Sequence, residues 1–263
     1  MFDLLLIYLA LGVLAGTTAG LLGLGGGAVI VPVLYMVFSA QGVSADLVMH
    51  MAIGTSLATI IFTSITSTYT HHQQRAVQWQ LVRSLLPAIV LGIVAGSFLA
   101  DQLNSVTLRV FFGLFELLIA AQMFFTLIPP SQQIKQKQWL YTLAGSVTGV
   151  ISALLGIGGG SVMVPFLHWS GVNMRKAIAT SAACGFPIGL FGALSFILLG
   201  QGDNQQQPWS LGYIYLPALL GILLTSIVSA RLSARLAHRL PLPLLKKIFA
   251  IVLALVGLKM IFG

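Results

Sequence analysis

The stretch GLLGLGGGAVIVPVL, residues 20–34, has a close copy in ALLGIGGGSVMVPFL, residues 153–167. Ten of the fifteen aligned positions are identical across an offset of 133 residues, so the chain contains an internal repeat. A glycine cluster inside an apolar segment breaks the helix, exposes backbone N–H groups and removes the side chains that would keep a ligand away. Two such breaks at matching places of two halves predict one binding site made by both halves.

The amino-acid composition of the whole chain is that of a polytopic membrane protein. Hydrophobic residues form 57% of the chain and charged residues only 7%, whereas soluble domains average about 45–50% and about 25%. The formal charge of +8 comes from bases in short loops between apolar runs, so it reports membrane topology and does not indicate a nucleic acid partner. Cys184 is the only cysteine, which excludes a disulfide and a thiolate metal site. The N-terminus lacks the basic region of a signal peptide, and we expect it to remain as the first membrane segment.

We predict an all-α membrane protein with about five apolar segments in each half. They cover residues 4–22, 26–40, 46–69, 84–100 and 107–128, then 139–155, 159–172, 176–200, 211–230 and 244–262. Segments 26–40 and 159–172 are shorter than the roughly 20 residues that span a bilayer, and the sequence leaves open whether they cross or re-enter. The polar linker 129–138 separates the first repeat, 1–128, from the second, 139–263, within one integral membrane domain.

The distribution of bases predicts that the two repeats are inverted. If the first two segments of each repeat make a net return, Arg109 and Lys259 lie on one face of the membrane. The eleven other bases lie on the opposite face: Arg75, Arg83, Lys135, Lys137, Arg175, Lys176, Arg231, Arg235, Arg239, Lys246 and Lys247. The basic face is cytoplasmic by the positive-inside rule. We therefore expect a multi-pass protein of the plasma (inner) membrane with both termini outside.

Doubled GxGGG segments followed by a proline, each succeeded by an A-x-x-T-S segment (Ala52 to Ser56 and Ala177 to Ser181), carry a family resemblance. The chain resembles the TauE/SafE family of sulfite and sulfonate exporters, also described as toluene-sulfonate uptake permeases, along essentially its whole length. The resemblance implies secondary transport of a small sulfur-containing anion by a fold built from a duplicated unit. It does not imply a particular anion or a direction of transport.

The candidate substrate site consists of the two glycine turns and the hydroxyl groups that follow them. Each short helix that begins at a glycine turn places a partial positive charge and unpaired N–H donors there. Two inverted repeats bring these helix starts together near the middle of the membrane. The substrate-binding residues are Gly23, Gly25, Gly26, Gly27, Thr55, Ser56, Gly156, Gly158, Gly159, Gly160, Thr180 and Ser181. The alternatives remain that the glycines only permit close helix contacts and that the hydroxyls bond to carbonyls of their own helices.

Three further residues have a functional and a structural interpretation. Glu116 is the one acid well inside an apolar run, either a protonatable group that couples transport to protons or a carboxyl that is protonated or paired. His50 and Arg175 stand at matching positions before the A-x-x-T-S segments and either attract an anion at its entrance or serve structure and topology. His71, His72 and His168 do not have metal-ligand spacing, so we predict no metal and no cofactor.

The leading functional hypothesis is a secondary carrier of a small anion, with the lipid bilayer as its surroundings. The chain has no ATP-binding motif, so an ion gradient or the gradient of the substrate would drive transport. An anion channel of the same architecture is the main alternative. An intramembrane enzyme is disfavoured because no G-x-S-G or H-E-x-x-H constellation occurs. The sequence does not decide the oligomeric state, and a homo-oligomer is one possibility.

Overall fold

Ten helices, five from each half of the sequence, make up nearly all of the described structure. The computed structural model describes residues 2–22, 25–125, 138–202, 207–236 and 242–263. The first half contributes α1 (Phe2–Leu22), α2 (Gly27–Ala40), α3 (Val48–Gln73), α4 (Trp79–Gln102) and α5 (Ser105–Phe124). The second contributes α6 (Gln138–Leu155), α7 (Gly160–Trp169), α8 (Met174–Leu199), α9 (Leu216–Leu236) and α10 (Leu242–Phe262). A short antiparallel hairpin of β1 (Ser210–Leu211) and β2 (Ile214–Tyr215) lies between α8 and α9.

The apolar character of the helices defines a membrane protein. Seven helices of the described ranges are long and apolar enough to cross a bilayer, namely α1, α3, α4, α5, α6, α8 and α9. In a bilayer the backbone polar groups must be satisfied within the segment, which a helix does. The prediction of an all-α polytopic membrane protein is confirmed. The predicted linker 129–138 lies outside the described residues except for Gln138, which begins α6, so the repeat boundaries stay a prediction.

The helices pair across the two halves in a symmetric pattern. Helix α1 packs against α9, and its repeat equivalent α6 packs against α4. Small residues make both contacts close, because a Cβ atom at Gly16 would overlap Ser226 O, and one at Gly149 would lie 2.5 Å from Ile89 O. In the α1–α9 contact the Ser229 and Ser233 hydroxyls also donate to carbonyl oxygens of α1, at 3.2 and 3.1 Å.

The directions of equivalent helices show that the repeats are inverted. In the α3–α8 pair, Gly185 lies against Ser64 and Gly192 against Leu57, so the two helices are antiparallel. Helices α5 and α10 are antiparallel as well, since Gly113 contacts Ile261 whereas Leu117 contacts Gly257. Repeat-equivalent helices that run in opposite directions are related by a pseudo-two-fold axis parallel to the membrane plane.

The helix directions place both termini on one face. Helix α3 is antiparallel to α4, because His50 lies against Ala100 near one end and His72 against Trp79 at the other. The face with the termini also carries the α2–α3, α4–α5 and α8–α9 connections, and among the described bases it holds Arg109 and Lys259. The opposite face holds most of the described bases, among them Arg75, Arg83, Arg175, Lys176, Arg231, Arg235 and Lys247.

The two short segments form half-length helices. At 1.5 Å per residue, α2 with its 14 residues is about 21 Å long and α7 with 10 residues is about 15 Å long. Neither spans the roughly 30 Å of a hydrocarbon core. Helix α2 returns along α1, since its C-cap residue Gln41 donates from Nε2 to the Tyr8 hydroxyl at 3.2 Å. Each repeat therefore begins with a hairpin whose second arm starts inside the protein.

Candidate functional site

The second arm of each hairpin starts at a glycine turn. Gly26 and Gly159 are the N-cap residues of α2 and α7, with φ angles of 81° and 75°. Gly25 also has a positive φ of 77° and Gly156 one of 65°. Side chains other than glycine rarely adopt this left-handed backbone, which explains why the turns need glycine at these positions.

The two turns touch each other. A Cβ atom at Gly25 would lie 2.7 Å from Gly158 Cα, and one at Gly27 would overlap Gly156 O. Gly25 and Gly158 are repeat equivalents, so their contact lies on the pseudo-two-fold axis, half-way between the two faces. The prediction that the glycine-broken helices meet inside the protein is thereby confirmed. Gly23, the first residue of the predicted site, lies outside the described residues.

A small cavity borders this contact. It has a volume of about 10 Å³ and is lined by Ala19, Gly25, Ser64, Ser67, Gly158, Ala182 and Gly185. A space of this size holds about one water molecule. A sulfur oxyanion has at least three oxygens and is larger, so the turns are closed on each other in this conformation.

The predicted hydroxyl groups are fully buried, and three of them bond to the backbone of the opposite repeat. The Ser56 hydroxyl donates to Gly156 O at 2.7 Å and thus holds the second glycine turn. Thr55 Oγ1 accepts from the backbone N–H of Tyr215 at 3.0 Å. Thr180 Oγ1 accepts from that of Gln78 at 3.1 Å, which satisfies the N-cap residue of α4.

Ser181 differs from its repeat equivalent Ser56. Its hydroxyl is 0% exposed and has no hydrogen-bond partner among the described residues. The next residue, Ala182, lines the cavity. Of the four predicted hydroxyls, Ser181 is therefore the one whose donor is not used by another described residue.

His50 and Arg175 occupy different environments. His50 is 4% exposed, with Nδ1 3.0 Å from Asp46 O and Nε2 3.0 Å from Ala100 O, so it joins the start of α3 to the end of α4. Arg175 is exposed at the start of α8, on the opposite face of the protein. The structure does not bring these two residues together.

Glu116 is buried away from the glycine turns. It is 1% exposed, and its Oε2 atom has no hydrogen-bond partner among the described residues. Its helix α5 packs mainly against α10, and Glu116 does not line the cavity between the turns. A link between Glu116 and the turns would therefore run through helix packing.

Residues of α3 and α8 complete the surroundings of the turns and were not predicted from the sequence. Ser64 and Ser67 lie three positions apart and so share one face of α3. Both line the cavity, together with Gly185 of α8. Ser152 of α6 was also missed; its Oγ atom is 3.5 Å from the position of a Cβ at Gly159. Alignment of the repeats pairs Ser152 with the cavity residue Ala19, and that pairing is the signal that could have identified it.

Inverted repeats, half-length helices that start at facing glycine turns and an apolar all-helical body together define a membrane transporter. The family described as sulfite exporter TauE/SafE matches residues 8–260. The chain belongs to this family.

Similar curated proteins are named as transporters. A probable membrane transporter protein of Haemophilus influenzae is 40% identical over 262 residues, which cover 99% of each chain. One of Methanocaldococcus jannaschii is 26% identical over 98% of this chain and 96% of its own. The probable membrane transporter protein YunE of Bacillus subtilis is 31% identical over 74% of this chain and 78% of its own. The names of these proteins state no substrate.

Proposed function

We propose that this protein is a secondary transporter of small sulfur-containing oxyanions, such as sulfite or a sulfonate, in the plasma membrane. The observation that carries the proposal is the contact of Gly25 with Gly158 on the pseudo-two-fold axis, where α2 and α7 begin. A site on this axis is equally close to both faces, as alternating access requires. The family to which the chain belongs is described by sulfite export, and this supports the choice of substrate class.

The electrostatics of the turns suit an anion. Each helix N-terminus contributes roughly half a positive charge together with unpaired N–H donors. Helices α1, α2, α6 and α7 contain no Lys or Arg. An oxyanion held by two helix starts and by neutral hydroxyls such as that of Ser181 is bound without the desolvation of a basic side chain.

Transport requires the turns to separate. The cavity of about 10 Å³ is too small for the anion, so this conformation is the closed one. The two hairpins, α1–α2 and α6–α7, each carry one turn and pack mainly on helices of the other repeat. Movement of one hairpin relative to the other would open the site toward one face at a time.

Binding and counterflow measurements test the proposal. A ligand at 100 times its dissociation constant adds about 2.7 kcal/mol to the stability of the folded protein. We expect at least one of sulfite, thiosulfate, sulfoacetate and taurine to raise the unfolding temperature of the purified protein, whereas chloride at equal ionic strength does not. In liposomes the same anion should show saturable counterflow, which a channel does not produce. If none of the four anions shifts the unfolding temperature more than chloride, the proposed substrate class is wrong.

A further inference from the structure

Ser152 presents a buried hydroxyl to the start of α7. Its side chain is 0% exposed, and its Oγ atom lies 3.5 Å from the position that a Cβ would occupy on the N-cap residue Gly159. This hydroxyl has no hydrogen-bond partner among the described residues. Buried hydroxyl groups are normally hydrogen-bonded. This hydroxyl therefore has a donor left for a bound molecule at the start of α7.

Two other hydroxyl groups of α6 bond to backbone carbonyls of their own helix, and Ser152 could in principle do the same. Thr142 donates to Gln138 O at 3.2 Å and Thr148 to Ala144 O at 2.6 Å, each to the carbonyl four residues earlier. This is the usual bond of a Ser or Thr in a membrane helix. The Ser152 hydroxyl does not make it, whereas the Ser152 carbonyl accepts from Gly156 N at 2.9 Å and so anchors the turn.

The symmetry of the repeats relates Ser152 to a residue that borders the cavity between the turns. The repeat equivalent of Ser152 is Ala19, which lines the cavity beside Gly25 and Gly158. Only the second repeat has a hydroxyl there. The two turns therefore offer different donors, and a bound anion would have a preferred orientation.

We propose that the Ser152 hydroxyl is a substrate ligand that donates a hydrogen bond to an oxygen of the sulfur oxyanion at the α7 turn. This inference rests on the proposed function and adds one donor and an orientation to it. A cation is disfavoured because the nearby helix start is the positive end of its dipole. A neutral hydroxyl provides the hydrogen bond without adding a buried charge.

The test compares Ser152→Ala with Ser226→Ala. Ser226 is also 0% exposed, and its hydroxyl likewise has no partner among the described residues, but it lies in α9 against Gly16 and away from the turns. The affinity for sulfite, thiosulfate, sulfoacetate and taurine is measured by titration calorimetry on the purified full chain. We expect Ser152→Ala to bind the wild type's anion about tenfold more weakly and Ser226→Ala to bind it as the wild type does. Ser152→Cys, which keeps the volume and provides a weak donor, should resemble Ser152→Ala.

The outcomes separate this inference from the proposed function. If the wild type binds one of the anions and Ser152→Ala binds it equally well, Ser152 is not a ligand and the proposed function stands. Equal weakening by Ser152→Ala and Ser226→Ala would show a general effect of losing a buried hydroxyl and would also overturn the inference. If the wild type binds none of the four anions, the proposed function fails, and the role of Ser152 fails with it.

Discussion

At the scale of single residues, the glycines of the turns have both a conformational and a packing role. Gly25 and Gly42 share a φ of 77°, but a Cβ at Gly42 meets nothing within 4 Å, whereas one at Gly25 lies 2.7 Å from Gly158 Cα. A left-handed backbone costs an alanine about 1–2 kcal/mol, and overpacking adds about 1–3 kcal/mol. We expect Gly25→Ala to lower the unfolding temperature clearly more than Gly42→Ala does. Equal shifts would mean that the turns do not pack as closely as described.

Glu116 gives the second prediction at this scale. An ionised carboxylate deep in the membrane costs about 2.5–3.5 kcal/mol on insertion scales, and Leu253, its repeat equivalent, is buried to the same extent at 1% exposure. We expect Glu116→Gln to keep substrate exchange in liposomes and to lose accumulation driven by a pH gradient. The control is Asp101→Asn, at an exposed position of α4. If accumulation by Glu116→Gln follows the pH gradient as in the wild type, Glu116 has a structural role only.

The repeated residues could be predicted from the sequence, but their partners could not. The glycine turns and the Thr-Ser pairs were found because they occur twice. The bond from Tyr215 N to Thr55 joins residues 160 positions apart, and such a pair depends on how the halves pack. Ser152 and Ala19 differ in type, so identity between the repeats does not mark this position.

At the scale of elements, Thr55 of α3 and Thr180 of α8 each connect their helix to the start of a helix of the other repeat. Thr55 bonds the residue before α9, and Thr180 bonds the residue before α4. Thr55→Val would leave the N–H of Tyr215 without its acceptor, at a cost of about 1–2 kcal/mol because this group is only partly buried. We expect Thr55→Val to lower the unfolding temperature by a few degrees and Thr55→Ser to leave it nearly unchanged. A loss in Thr55→Ser that is absent in Thr55→Val would point to packing of the methyl group instead.

The residues at which the helices begin could not be predicted from the apolar pattern alone. The segment predicted at 84–100 is part of a helix that begins at Trp79, because its polar first turn extends beyond the apolar run. The segment predicted at 211–230 begins at Leu216, because residues 210–215 form a small hairpin around Gly212, whose φ is 56°. Apolar runs indicate the thickness of the hydrocarbon core, whereas hydrogen bonding and turn geometry decide where each helix begins.

At the scale of the whole molecule, the inversion predicted from charge agrees with the inversion seen in the packing. The sequence provides the count of bases, and the structure provides the directions of α3 and α8, which do not depend on charge. The order in which the helices pack was not predictable from the sequence, because apolar faces of this composition do not select their neighbours. Close approach at glycines such as Gly16 and Gly149 fixes that order in the structure.

The final prediction assigns the two faces to the two sides of the membrane. Gln74, after α3, lies on the face with most of the described bases, and Gln102, at the end of α4, lies on the face of the termini. Because short cytoplasmic loops carry most of the Lys and Arg, we expect Gln102 outside and Gln74 in the cytoplasm. Both side chains are exposed. Cys184 is only 1% exposed and can be replaced by Ala to give a background without cysteine.

In that background, a membrane-impermeant maleimide applied to intact cells should label Gln102→Cys, and it should label Gln74→Cys only after the membrane is permeabilised. The reverse pattern would keep the inverted fold and place the termini in the cytoplasm, against the positive-inside rule. Labelling of both positions in intact cells would contradict the antiparallel arrangement of α3 and α4 itself. His72 contacts Trp79 at the end of the α3–α4 pair where Gln74 lies, and His50 contacts Ala100 at the end where Gln102 lies. The two labelled positions therefore report opposite sides of the membrane.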